Sequence, residues 1–96
     1  MSDINTNTSN RLKVSVLQFE FNLYEGTAEA VSSINEKGLF DVLPKHANFI
    51  TLVNKKLTIH ESAEKKREFK IDSGILKVIN NQVTIFLGIA SEQNKG

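Results

Sequence analysis

Apolar and polar residues alternate with a period of two along most of this chain, which is the spacing of half-buried β-strands. Leu12, Val14 and Val16 share one face of the first such segment. The phase changes at residues 17–18 and the alternation continues over 19–23. Such a change is typical of two strands joined by a tight turn or a bulge. We therefore predict two consecutive strands at the start of the folded region.

The second half of the chain predicts two hairpins. In the first, the alternating segments 55–60 and 67–72 are joined by a polar connection. In the second, segments 75–79 and 83–87 flank the Asn-Asn-Gln sequence at 80–82. Asparagine tolerates the left-handed conformation that tight hairpin turns require. The second hairpin has the clearest turn signal in the chain.

Residues 27–34 fit two structures. Their apolar positions suit a short amphipathic helix and a strand equally well. The residues themselves leave both alternatives open.

Residues 38–52 predict a strand, a proline corner and another strand. Pro44 fixes its own φ and pushes Leu43 into an extended conformation, so the first strand ends there. Gly38 is suited to end the preceding turn. The corner carries His46 on a rigid loop at one end of a sheet, a common location for partner contacts. His46 either hydrogen-bonds backbone groups and locks the loop or lies on a partner surface, and the two roles are compatible.

Short strands with regular turn signals, one proline and no long helix favour an all-β antiparallel sandwich or barrel. A chain of 96 residues suffices for one domain. We predict a β-sandwich domain at 11–90, a disordered polar leader at 1–10 and a polar tail at 91–96.

Composition and motifs argue against an enzyme. The chain has no cysteine, and its glycines never cluster into a phosphate-binding loop. His46 and His60 have no nearby motif that supplies a third metal ligand, so we expect no metal and no cofactor. We expect His60 to be solvated at the end of a strand. The formal charge of +1 does not favour nucleic acid as a partner, and no segment predicts a signal peptide or a membrane span. Core packing is expected for Phe19, Phe21, Phe40, Phe49, Phe69 and Phe86.

Four segments, in this order, resemble one known family. They are Tyr24-Glu25-Gly26 followed by Glu29, Gly-Leu-Phe-Asp-Val-Leu-Pro-Lys-His-Ala at 38–47, Ser-Gly-Ile-Leu-Lys-Val at 73–78, and Asn-Gln-Val-Thr-Ile at 81–85. With these motifs the chain, from about Arg11 to Ala90, resembles the N-terminal β-sandwich domain of the epsilon subunit of F-type ATP synthases.

The resemblance implies a sandwich of two sheets with ten strands, in which 27–34 is a strand. It implies no catalysis. It implies a central-stalk subunit that binds the gamma subunit on one side and the c subunits of the rotor ring through loops at one end, on the cytoplasmic face of the plasma membrane without inserting into it. By the same resemblance, the partner-binding residues are Gly38, Leu39, Phe40, Asp41, Pro44, Lys45 and His46.

The chain departs from the family pattern at several of these positions. Asp41 and Lys45 stand in place of glycines, and Leu39 stands where many relatives carry an acidic residue. The sequence also ends near Gly96, without the two C-terminal helices of relatives, so we expect neither ATP binding nor strong inhibition of hydrolysis. An alternative of a different class is a free-standing adaptor that binds another protein through a sheet edge.

Overall fold

The computed structural model describes residues 11–19 and 21–88. These residues form strands and no helix, which confirms the all-β prediction. The strands are β1 (Leu12–Gln18), β2 (Phe21–Ala28), β3 (Ala30–Asn35), β4 (Gly38–Val42), β5 (Phe49–Ser62), β6 (Lys65–Ile79) and β7 (Gln82–Leu87). The predicted leader at 1–10 and the predicted tail at 91–96 lie outside the described residues.

All seven strands belong to one sheet with the order β2-β1-β7-β6-β5-β3-β4. Every neighbouring pair is antiparallel except β1 and β7, which are parallel. The single sheet and its one parallel pair therefore differ from the two antiparallel sheets that were predicted. The parallel pair joins strands from the two halves of the chain, and no local pattern of residues encodes such a contact.

The sheet is continuous because β5 and β6 are long, with 14 and 15 residues. Their register shifts between Val53 and Lys55, where β6 contributes an extra residue. Beyond this bulge β5 pairs with β3 on one side and with the first half of β6 on the other. Before the bulge β5 pairs with the half of β6 that also pairs with β7. The segments predicted as four strands in this region are thus two bent ones, which accounts for two of the three strands by which the observed seven differ from the ten expected.

The core shows that the sheet folds over on itself. Leu57 and Ile59 come from beyond the bulge and Leu76 and Val78 from the half paired with β7, yet all four belong to one cluster of fully buried side chains. Buried residues of a single flat sheet would face open solvent, so the two halves of the sheet must pack against each other. This arrangement has the two-layer architecture that was predicted for a sandwich.

The turns, and residues 27–34, have the backbone conformations that the sequence predicted or left open. Asn80 and Asn81 have φ of 47° and 66°, and Gly38 has φ of 115°, so these three residues of positive φ stand where turns were predicted. Residues 27–34 contain the end of β2 and most of β3. Here the strand alternative is confirmed and the helix is excluded.

The phenylalanines are only partly in the core. Phe40, Phe49 and Phe69 pack against the core cluster while remaining partly exposed. Phe19 and Phe21 are 68% and 67% exposed, at the turn between β1 and β2. The prediction of core packing was wrong for these two, because the turn carries them past the end of the sheet, where no second layer covers them. It was also wrong for Phe86, which is 42% exposed on the solvent side of the sheet.

Candidate docking surfaces

The residues predicted to bind partners lie on β4 and on the loop after it. Strand β4 holds Gly38, Leu39, Phe40 and Asp41, and loop 43–48 holds Pro44, Lys45 and His46. Because a strand advances about 3.4 Å per residue, Gly38 and His46 lie at opposite ends of β4. The structure therefore spreads these residues along an edge strand and a loop rather than gathering them in one compact site.

Loop 43–48 is fixed to the turn between β6 and β7. The backbone N–H of Lys45 donates to Asn81 Oδ1 at 2.6 Å, and the backbone N–H of Asn80 donates to Asn48 Oδ1 at 2.8 Å. Lys45 has a φ of 71°. These contacts hold an exposed loop in one conformation at the end of the sheet, which lowers the entropic cost of a protein contact.

His46 has the structural role predicted for it. Its backbone N–H donates to the Leu43 carbonyl at 3.0 Å, and its Nδ1 lies 2.8 Å from the Ala47 carbonyl oxygen. Because that oxygen only accepts, Nδ1 carries the proton. The ring also lies 4.9 Å from the ring of Phe49. The role of His46 on a partner surface stays a prediction.

Exposed apolar side chains form a row across the solvent side of the sheet. Leu52 lies opposite Ile75, Ile75 opposite Phe86, and Phe86 opposite Leu17. Leu52 is 70% exposed, and Ile50, two residues away on the same face, is 65% exposed. We call Ile50, Leu52, Ile75 and Phe86 the outer apolar face. A contiguous exposed apolar patch on a small domain marks an interaction site.

A polar network joins β2 to the end of β5. The hydroxyl of Tyr24 on β2 donates to Oε2 of Glu61 on β5, and Arg11 Nη2 donates to the Glu61 carbonyl at 2.9 Å. The guanidinium of Arg67 lies 5.2 Å from the centre of the Tyr24 ring. Together with nearby residues these groups line an open cavity of about 570 Å³.

The network shifts the ionisation of both partners. Burial, followed by the hydrogen bond to Glu61 and its negative charge, raises the pKa of Tyr24 to about 12. The hydrogen bond from Tyr24, with Lys65 and Arg67 nearby, lowers the pKa of Glu61. The network therefore ties β2 to β5 and closes the edge of the two-layer fold.

A serine on β3, an aspartate on β4 and a histidine on β5 are joined by hydrogen bonds, but not in the order of a catalytic triad. Ser32 Oγ donates to Asp41 Oδ1 at 2.5 Å and lies 2.9 Å from His60 Nε2. In a nucleophilic triad the histidine stands between serine and acid, whereas here the serine stands in the middle. Contrary to prediction, His60 does not end its strand, because β5 continues to Ser62. Its ring is half-buried and hydrogen-bonded rather than solvated.

Across residues 11–19 and 21–88, no group of three His, Asp or Glu side chains is placed to hold a metal ion. In the same residues no helix is long and apolar enough to cross a membrane.

The family model for the β-sandwich domain of the ATP synthase delta/epsilon chain matches residues 11–93. The chain belongs to this family. The match extends over nearly the whole chain, so the resemblance seen in the four sequence motifs is confirmed.

ATP synthase epsilon chains from several bacteria are similar to this member of the delta/epsilon family. The Endomicrobium trichonymphae chain is 26% identical over 86 residues, which cover 90% of this chain and 62% of that one. The Helicobacter pylori strain P12 chain is 33% identical over 85 residues, covering 88% and 69%. This chain thus spans less than two thirds of the length of the Endomicrobium relative.

Solved structures share the fold of this delta/epsilon-type domain. A chain of the Euglena gracilis mitochondrial ATP synthase, in a structure of OSCP, F1 and the c-ring, aligns with a TM-score of 0.75 at 16% identity, covering 81% of this chain and 51% of that chain. A chain from the central stalk and c-ring of the Tetrahymena thermophila mitochondrial ATP synthase aligns with a TM-score of 0.65 at 12% identity, covering 88% and 73%.

The outer apolar face of this delta/epsilon-type domain was not among the residues predicted from the sequence. Its signal was present in residues 49–53, where Phe49 and Val53 point inward while Ile50 and Leu52 point outward. A strand that is apolar on both faces is typical of one covered on both sides. That run predicts a cover on the solvent side as well as the core side.

Proposed function

We propose that the chain is a non-catalytic central-stalk subunit of an F-type ATP synthase, which couples the membrane rotor ring to the gamma subunit and the catalytic head during ion-driven ATP synthesis. The observation that carries the proposal is the outer apolar face in a domain of the delta/epsilon family. A torque-transmitting subunit needs at least two protein contacts on a stiff body, one toward each neighbour.

The outer apolar face is the surface that we assign to the gamma subunit. Its side chains lie on three adjacent strands, β5, β6 and β7, and so form one continuous patch. Lys77 Nζ lies 6.0 Å from the centre of the Phe86 ring, which leaves a positive charge inside the patch. We expect the gamma surface to be apolar and to provide an acceptor for this lysine.

The rotor ring is assigned to loop 43–48, with β4 as its continuation. Lys45 and His46 are exposed on a loop that Asn81 and Asn48 hold in place. The ring would present the polar loops of its c subunits to this end of the sandwich. Leu39 lies at the other end of β4 from the loop. It belongs to the ring contact only if the c subunits also cover the length of β4.

Absence of catalysis is proposed on two grounds. Ser32 donates its proton to Asp41 and not to His60, so the histidine is not placed between serine and acid as the base of a nucleophilic triad. The other polar cluster, around Tyr24 and Glu61, is used in closing the fold. We therefore assign the chain a structural and coupling role, at the membrane as a peripheral subunit.

The test is binding to the purified cognate gamma subunit and assembly onto the rotor ring, with one variant for each surface. Leu52→Lys places a charge in the proposed gamma contact, where it would lose its hydration, so we expect affinity for gamma to fall at least about tenfold. Lys45→Glu should weaken assembly with the ring and leave gamma binding unchanged. Isothermal titration and co-purification measure the two effects.

The matched control is Glu64→Lys, a charge change at the exposed turn between β5 and β6, which should alter neither contact. Each variant must keep the thermal unfolding midpoint of the native chain. The proposal for the gamma surface is wrong if folded Leu52→Lys binds gamma with native affinity.

A further inference from the structure

Strand β4 is an edge strand of the sheet. Within the part of the chain that the structure describes, its outer edge has no strand partner. Leu39 in this strand is 73% exposed. An exposed apolar residue on an unpaired edge is a template for strand addition. The strand is too short for a large interface but long enough for a few backbone hydrogen bonds.

The turn between β3 and β4 determines which backbone groups point outward. Asn35 and Gly38 face each other across a two-residue connection, which makes them a hydrogen-bonded pair. Hydrogen-bonded and non-bonded pairs alternate along an antiparallel ladder. Gly38, Phe40 and Val42 therefore bond to β3, while Leu39 and Asp41 direct their N–H and C=O groups toward the open edge.

This edge complements itself in one antiparallel register. If Leu39 of one copy lies opposite Leu39 of a second copy, the exposed Lys37 in the turn before each β4 comes next to Asp41 of the other copy. Opposite charges on facing strands stabilise a pair and like charges destabilise it. A shift by two residues would instead place Asp41 opposite Leu39. The Asp41 carboxylate is exposed and also accepts a hydrogen bond from Ser32 Oγ on β3, 2.5 Å away.

We propose that two copies of this chain associate through β4, antiparallel and with Leu39 on the two-fold axis, to form one sheet continuous across both molecules. The contact is isologous, so each favourable pair occurs twice. The interface is small, and small interfaces give weak, transient dimers. The dimer concerns the free chain and does not depend on the stalk assignment, whereas its relation to the assembled complex rests on the proposed ring contact.

Because β4 also carries residues of the proposed ring contact, the dimer and the assembled complex would exclude each other. The dimer would then act as a separate pool of free subunits that dissociates as rotor sites become available.

Sedimentation equilibrium of the 96-residue chain measures the association. The weight-average mass should rise from 10.7 kDa toward twice that value between about 10 µM and about 1 mM, the range in which weak dimers dissociate. Lys37→Glu and Asp41→Lys each place like charges opposite one another at two positions. Each variant alone should associate at least about tenfold more weakly than the native chain.

Mixing the two variants tests the register directly. In a mixed dimer, Glu at 37 faces Lys at 41, and the native Asp41 faces the native Lys37, so association should return to within about threefold of native. Should Asp41→Lys fail to fold without its Ser32 bond, Leu39→Asp places two carboxylates on the axis and should abolish dimers by itself.

Three results would overturn the proposal. A native chain that keeps the monomer mass at about 1 mM excludes the dimer. Charge variants that associate as strongly as the native chain place the contact elsewhere. Folded variants that stay monomeric when mixed exclude this register. Titration with gamma, which uses the outer apolar face, is a separate measurement, so failure of either proposal leaves the other intact.

Discussion

The hydrogen bond from Tyr24 to Glu61 shows how two side chains far apart in sequence can close a fold. They are 37 residues apart, on β2 and β5. Each is unremarkable in the sequence, since a tyrosine in an alternating strand predicts only burial. The partnership arises when the sheet folds over, so residue patterns alone could not predict it.

This pair predicts two pH windows for stability. Glu61 has a lowered pKa, so its contribution is present above its usual pKa of 4.5 and is lost as the pH falls through the lowered value. Tyr24 has a pKa raised from 10.0 to about 12, so its contribution is present below pH 10 and is lost as the pH rises toward 12. We expect Tyr24→Phe to flatten both slopes in urea unfolding curves recorded across the pH range.

Tyr24 is the only tyrosine in the chain, so ultraviolet titration reports its ionisation without interference. The folded protein should form tyrosinate with a midpoint near pH 12, and the protein unfolded in urea with a midpoint near pH 10. Equal midpoints in the two states would contradict the network.

The positions of some other residues could be predicted directly from their side-chain and backbone chemistry. Gly38, Pro44, Asn80 and Asn81 stand at turns because their backbone preferences are local. The phenylalanines did not follow, since burial depends on which part of the sheet is covered. His60 also has a partner, Ser32, that only strand pairing brings near.

Among the elements, the turn between β6 and β7 reverses the chain and also holds loop 43–48 in place. Asn81 adopts a positive φ and accepts the N–H of Lys45 through its side chain. Asn81→Gly keeps the backbone conformation and removes the side-chain acceptor. We expect it to lower the free energy of unfolding by about 0.5–1.5 kcal/mol and to broaden the amide resonance of Lys45.

Asn80→Gly is the matched control, since its side chain is exposed and its backbone φ is also positive. It should change stability by less than about 0.5 kcal/mol. Equal costs for the two variants would show that the loop does not depend on the Asn81 side chain.

In the second half of the chain, the sequence predicted the strand segments but not which of them belong to one strand. Alternation located every segment of β5 and β6, and the polar connection at 61–66 contains the turn between them. A bulge interrupts the alternation of apolar and polar residues just as a loop does. The two parts of β5, residues 49–53 and 55–60, therefore have the sequence pattern of separate strands. Only the pairing with neighbouring strands distinguishes a bent strand from two strands.

At the scale of the whole molecule, both layers depend on the same two strands. Leu57 is fully buried beyond the bulge. Leu57→Ala should lower the free energy of unfolding by about 2–5 kcal/mol, while Leu39→Ala on the exposed edge should change it by less than about 0.5 kcal/mol. Because β5 and β6 run through both layers, we expect one transition, with amide protection in β1 and β7 falling together with that in β3.

Hydrogen exchange measured by residue tests that coupling. Loss of protection in β3 and β4 alone, with β1 and β7 unchanged, would show two units that unfold independently.

The parallel pairing of β1 and β7 determines how the domain responds to force. Six residues of β1, from Lys13 to Gln18, run beside β7 in the same direction. Tension applied between the beginning of β1 and the end of β7 would slide one strand along the other, so every hydrogen bond of the ladder bears load at once. A hairpin pulled at its open end breaks one bond at a time. The domain is therefore mechanically stiff along the line joining these two points, and its rupture under load would be governed by the height of one unfolding barrier.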